Sequence, residues 1–271
     1  HGIEIGYRPL KADLAPMPNI DIEAEFDFST YTNAAQNAES IKKLKRMMYH
    51  DQFSTDSTVF KALSRNNWQN STLVIDWTQS VYGFGAEAIL WHSLFQNVSG
   101  VERVIFFNDG NRQKDKKKIM GYTGGIYIEK ADDVEKLVKR MKRVKWRGNG
   151  GDSPENDMEA LIVGSTRLPT ENLILIADNR SCIRDYVMMR YVKRPVHVVL
   201  GNVKKDVNPQ YVNLAWRTGG SLSVGDTTLY HLDELVANDA LIVNGIKYTL
   251  TRKNQLQPVS RRFNSFKYCN R

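Results

Sequence analysis

Cysteine is nearly absent from this chain: Cys182 and Cys269 are the only two, and they lie far apart among 271 residues. That excludes a zinc knuckle and a CxxC redox pair, and it leaves two free thiols or one disulfide as open alternatives. The histidines are scattered, so no His or Cys motif announces a transition-metal centre; His197, inside an apolar run, reads as a core residue. Long apolar runs are missing too, since none approaches the roughly 18 residues of a membrane span. The chain opens on His1 instead of methionine, as a processed or recombinant product does.

Charge is present in excess of one sign. Lys and Arg number 38 against 30 Asp and Glu, giving a formal charge of +8 and a pI near 9.3. This permits anionic partners, but the basic residues are dispersed over several segments, which disfavours nucleic acid. An apolar fraction of 41% and a charged fraction of 25% suit an ordinary globular chain with a sizeable core.

The organising stretch is STLVIDWTQS, residues 71–80. Its β-branched apolar run reads as a buried strand that ends on Asp76, with hydroxyls following at Thr78 and Ser80. A strand-end acid is costly to bury unless something charged meets it. Oxygen side chains at i, i+2 and i+4 can converge on one hard cation where the chain turns. A second strand, NLILIAD, ends the same way on Asp178. Between them, RGNGGDSP places Asp152 in a glycine-rich loop ahead of an expected helix over 154–164 with Pro154 at its start.

The remaining pattern alternates. Helical periods cover 36–50, 56–66, 86–96, 131–146, 182–192, 208–218 and 232–237. Strands are expected at 101–108, 121–128, 195–200 and 221–224, and Asn244-Gly245 marks a C-terminal hairpin. No helical period separates 101–108 from 121–128, so these two form a hairpin with one antiparallel edge strand, whose lysines (Lys114, Lys116, Lys117, Lys118) guard against edge pairing. Gly83-x-Gly85-x-x-Ala88 imitates a dinucleotide fingerprint but starts too far beyond the strand for a phosphate turn. The fold class is thus α/β: a doubly wound, Rossmann-like, mostly parallel sheet with helices on both faces, and ligands at the carboxyl ends of its strands. Three segments are expected. Residues 1–69 form an arm with helices packing on the domain, 70–228 the α/β domain, and 229–271 an extension with the hairpin and a basic tail.

These motifs, Asp76-x-Thr78-x-Ser80, then GGDSPE at 150–155, then LILIAD at 173–178, resemble in order those of a von Willebrand factor A-like domain with a metal-ion-dependent adhesion site. The resemblance covers roughly residues 70–228. It implies Asp76, Thr78, Ser80, Asp152 and Asp178 as the metal residues, with Asp152 alternatively a helix cap. Thr78 replaces the usual first serine, Trp77 and Gln79 stand where small residues are common, and Asn179 replaces a frequent glycine. The oxygen-only set favours Mg²⁺, with Ca²⁺ or Mn²⁺ as substitutes. The function implied is a metal-dependent protein-binding module, not an enzyme, that captures a carboxylate on a protein partner. A Mg²⁺-dependent phosphohydrolase or nuclease is the alternative, against which Thr78 stands where a second acid is usual. A structural protein with a vestigial site is a third reading. GGDSPEN with its tryptophan-bearing central motif is most similar to exported bacterial members, which implies an extracytoplasmic location.

Overall fold

A computed structural model describes residues 57–110, 112–114, 117–148 and 155–259, together with Lys42. The expected N-terminal arm, nearly all of the helix expected over 36–50, Asp152 with its glycine loop and most of the basic tail lie outside these residues.

The elements are α1 (Thr58–Arg65), β1 (Ser71–Asp76), α2 (Tyr82–Leu94), β2 (Val101–Phe107), β3 (Ile126–Lys130), α3 (Val134–Arg147), α4 (Asp157–Arg167), β4 (Asn172–Asp178), a 3₁₀ helix (Tyr186–Tyr191), β5 (Val196–Gly201), α5 (Pro209–Arg217), β6 (Leu222–Val224), β7 (Thr227–Leu229), α6 (Leu232–Ala237), β8 (Ile242–Val243), β9 (Ile246–Leu250) and β10 (Leu256–Pro258). The main sheet has the order β3-β2-β1-β4-β5-β6-β7, and β8, β9 and β10 make a second, antiparallel sheet. β3 runs antiparallel to β2 and β7 antiparallel to β6, so both edges are antiparallel around a parallel centre. The α/β class, the β2–β3 hairpin and the Asn244-Gly245 hairpin are as expected. The second antiparallel edge is not: Gly225, at φ 54, turns the chain back onto β6.

Period-2 alternation divides the core into two layers. Leu73, Ile75, Val104, Phe106, Ile174 and Ile176 face α1, α2 and α3. Val74, Ile105, Phe107, Leu173, Leu175 and Ala177 face α4 and α5, and Tyr248 and Leu256 of the second sheet join that layer. Asn213 of α5 ties the extension down, accepting from the Leu256 N–H at 2.8 Å and donating to its carbonyl at 3.0 Å. All thirteen residues of α2 are buried. Gly85 lies within it because the Trp77 ring passes 2.7 Å from where its Cβ would stand. Gly85 therefore serves packing against Trp77 in the first turn of α2.

Two expected helices differ. The segment 182–192 is extended at first, because Arg184 N–H donates to the Glu155 carbonyl and Glu155 N–H to the Cys182 carbonyl, forming a parallel bridge between Glu155 and Ile183. Only from Tyr186 does it coil, as a 3₁₀ helix. The same bridge keeps Glu155 extended, so α4 begins at Asp157 instead of 154.

The N-terminus of α1 is capped from another element. Ser57 provides no side-chain cap, and buried Glu87 of α2 instead accepts from the N–H groups of Ser57, Val59 and Phe60 at 3.2, 3.0 and 3.1 Å. Removing it orphans the buried donors of Val59 and Phe60. Glu87→Ala should lower the unfolding free energy by about 2–4 kcal/mol, read by denaturant titration, with Glu87→Gln recovering part of the loss.

His197 is a structural residue, as expected. Its ring stacks on Trp68 at 4.8 Å and bonds Ser221 Oγ at 2.9 Å and Asn172 Oδ1 at 3.3 Å. Burial pushes the imidazole down from 6.5 to about 4. The unfolded chain therefore takes up this proton first, and stability drains away as pH falls from 6.5 towards 4. An NMR titration should place the His197 midpoint far below a free imidazole, and His197→Gln should remove this share of the acid sensitivity.

Candidate functional site

The chain leaves β1 towards β2 on one side and later returns through β4 on the other, so the crevice beyond the carboxyl ends of β1 and β4 is the switch point of the sheet. Asp76 ends β1 beside Phe107 of β2, and Asp178 ends β4 beside Gly201 of β5. Each is turned by its own loop. Asp76 Oδ1 accepts from the Thr78 N–H at 3.0 Å, and Asp178 Oδ1 from the Arg180 N–H at 3.2 Å. These Asx turns hold each carboxylate at the strand end with its second oxygen left over.

The structure brings further acids to the same rim. Asp109 follows β2, Glu155 stands in the bridge to Ile183, and Asp157 opens α4. All three are buried with Asp76 and Asp178, and Asp157 is fully inaccessible. Their mutual fields tie them together. The Asp76 carboxyl is pushed well above its ordinary range by burial and by Asp157, Asp178 and Asp109. Glu155 rises to about 12 through burial and the charges of Asp76 and Asp109. Asp157 is raised well above the usual range by burial and then by Asp185, Asp109 and Asp178. Asp178 is raised by burial, but the Ser80 hydroxyl and the Arg180 N–H favour its charged form. Tyr211 of α5 feels Asp157, Asp76, Asp178 and Glu155, and burial with those charges keeps its phenol protonated.

Oxygens here lack partners. Asp76 Oδ2, Thr78 Oγ1, Glu155 Oε2, both oxygens of Asp157 and Asp178 Oδ2 are buried with no hydrogen bond. Elsewhere in the chain buried acids are satisfied: Asp185 accepts from the Met158 and Glu159 N–H groups at 3.1 and 2.7 Å. Orphaned buried oxygens are rare in folded proteins and call for a ligand, ion or water.

No family model, curated protein or solved structure matches this chain. The site therefore rests on its own geometry.

Of the sequence-expected residues, Asp76, Thr78, Ser80 and Asp178 meet at this rim, and Asp152 lies outside the described residues. Asp109, Glu155 and Asp157 were missed. Glu155 and Asp157 had a signal in their nearness to Asp152, and Asp109 in its place just after a strand. Trp77 stays clear of the rim, buried in the core with its indole N–H donating to the Met141 carbonyl at 2.8 Å, and Gln79 is exposed. Among the described residues, no three His, Cys, Asp or Glu side chains are grouped so as to hold a metal ion. The acids alone are thus not a ready cage, and a cation at this rim would have to draw on the hydroxyls of Thr78 and Ser80.

The fit is one of chemistry: only oxygen donors, several of them orphaned, suited to a hard cation that keeps its waters. Asp157→Asn removes a buried carboxyl that must take up a proton on folding, without changing shape. In chelator at neutral pH it should raise the unfolding free energy by about 1–2 kcal/mol. A raised carboxyl costs stability where the unfolded chain has lost the proton that the folded chain keeps, so this gain should shrink as pH falls towards the ordinary carboxyl value of 3.8. Denaturant curves of both proteins across pH check the sign.

Proposed function

We propose that this chain is a cation-dependent protein-binding module of the von Willebrand factor A-like kind, holding Mg²⁺ at the β1–β4 crevice and capturing a carboxylate of a partner. The observation that carries the reading is the set of buried oxygens without partners on Asp76, Thr78, Glu155 and Asp178. Asp76, Asp178, Thr78 and Ser80 would hold the ion, two acids and two hydroxyls, with Ca²⁺ or Mn²⁺ as substitutes. The ion would supply a fixed positive charge with an open position for a partner's oxygen.

The chain's own residues set the conditions. The Asx turns fix the strand-end acids before any ligand arrives, so little ordering is required on binding. The raised carboxyls hold protons that a cation must displace, so cation affinity should rise with pH. Hydrolysis is the less favoured activity because Thr78 stands where a second acid beside Asp76 is usual.

An extracytoplasmic location belongs to the same proposal. Cys182 is disulfide-bonded, a state that persists in oxidising surroundings. No described helix is long and apolar enough to cross a membrane.

Melting with and without Mg²⁺ tests the site. At a hundredfold excess over Kd, Mg²⁺ should stabilise the wild-type chain by about 2.7 kcal/mol, more weakly at lower pH, while Thr78→Ala and Asp178→Asn should respond far less. Equal responses in wild type and both variants would remove the crevice as the cation site, and phosphoester turnover lost in Asp76→Ala would favour the hydrolase instead.

A further inference from the structure

The first turn of α4 supports more than the acid cluster. Beside Asp157, Glu159 turns its carboxylate to the β2–β3 loop and accepts from the N–H groups of Gly121 and Thr123 at 2.8 and 3.0 Å. The loop turns tightly there, with Tyr122 N–H donating to the Ile119 carbonyl at 2.9 Å. Gly121, at φ 87, lies against the Met188 side chain of the 3₁₀ helix, 3.3 Å from where a Cβ would stand. Asp185, at the start of that helix, accepts from Met158 and Glu159 N–H and locks it to α4 as well. Two surface elements are thus clamped to one helix end, beside the crevice.

Their outward side chains are apolar. Ile119 is 67% exposed, Met120 44%, Tyr122 85%, Val187 69% and Tyr191 46%. These are five of the eleven large exposed hydrophobics among the described residues, gathered on two touching elements. Scattered exposed apolar residues need no explanation, but a rigidly held group does. Its surroundings are basic. Lys114 and Lys117 are exposed on the same loop, Arg190 stacks over the Tyr191 ring at 4.9 Å, and Arg180 is exposed at the rim just after Asp178.

We propose that this patch is the apolar half of the partner site: it receives a large apolar side chain next to the carboxylate of an acidic segment of a protein partner. The proposal rests on the cation-dependent reading above, which supplies the carboxylate's place. Charge complementarity selects the occupant, because an acidic segment meets Lys114, Lys117, Arg180 and Arg190 while its apolar residue covers Tyr122 and Val187. Aromatic and aliphatic anchors rimmed by charge are the usual source of specificity in such contacts.

The probe is a displayed library of random peptides, selected on the full chain in Mg²⁺. Selected peptides should pair an Asp or Glu with a large apolar residue a few positions away. Tyr122→Ser with Val187→Ser, both on the surface, should weaken them by about tenfold or more and leave their release by chelator intact. Peptides with an acid but no apolar preference, no enriched peptides at all, or unchanged affinity in the double variant would overturn the patch. Binding to phosphatidylcholine–phosphatidylserine vesicles that the double variant loses, with peptide affinity unchanged, would overturn it in favour of a membrane contact. Peptides weakened by the double variant yet indifferent to chelator and to Thr78→Ala would keep the apolar site and defeat the cation reading.

Discussion

Burial of like charge at one sheet edge is the constraint around which this molecule is arranged. Asp76, Asp109, Glu155, Asp157 and Asp178 are brought together at the carboxyl ends of β1 and β4, where burial and the neighbouring acids push Asp76, Glu155 and Asp157 towards their protonated forms. Such a cluster persists only because its surroundings are over-determined. Asp76 and Asp178 end strands paired on both sides, and Asp157 belongs to a helix anchored through Asp185. The strain of the cluster is thus offset by a sheet whose central strands are buried on both faces.

The chain uses buried carboxylates in two ways, and the contrast separates structure from site. Glu87, Glu159 and Asp185 accept backbone N–H donors: they cap α1, clamp the β2–β3 loop and secure α4. Such acids act as internal connectors, replacing water around donors that the fold would otherwise orphan. Asp76, Glu155, Asp157 and Asp178 each retain at least one oxygen without a partner. An oxygen that folding leaves unsatisfied is available to something that arrives later, which is what makes this rim the candidate site.

Departures at the central motif have a packing cause. Trp77 turns inward, lies tilted against Tyr82 at 4.9 Å and edge-on to Phe106 at 5.7 Å, and donates its indole N–H to α3. A large residue at that position therefore fills the core beneath the loop, leaving the rim to Thr78 and Ser80. Gly85 accommodates the ring from the opposite side. One tryptophan thereby joins β1, α2 and α3 under the crevice.

Local pattern was enough for the architecture. Apolar runs such as LVI and LILIA specify strands buried on both faces, the amphipathic period over 131–146 specifies α3, and Asn-Gly specifies the β8–β9 turn, because each signal lies within a few residues. The strand-end acids Asp76 and Asp178 were legible for the same reason, since an acid closing an apolar run has one place to be. Tertiary structure decided what depends on pairing. The parallel bridge of Glu155 with Ile183 delayed α4 and unwound the expected helix at 182–192, and no local signal reports a bond between segments that far apart. The three-residue β7 was too short to show a period, though Gly225-Asp226 marked its turn. That Asp109, Glu155 and Asp157 join the same rim follows from sheet order, which places the end of β2 and the start of α4 beside β1. Sequence spacing measures distance along the chain, whereas electrostatic coupling falls with distance through space.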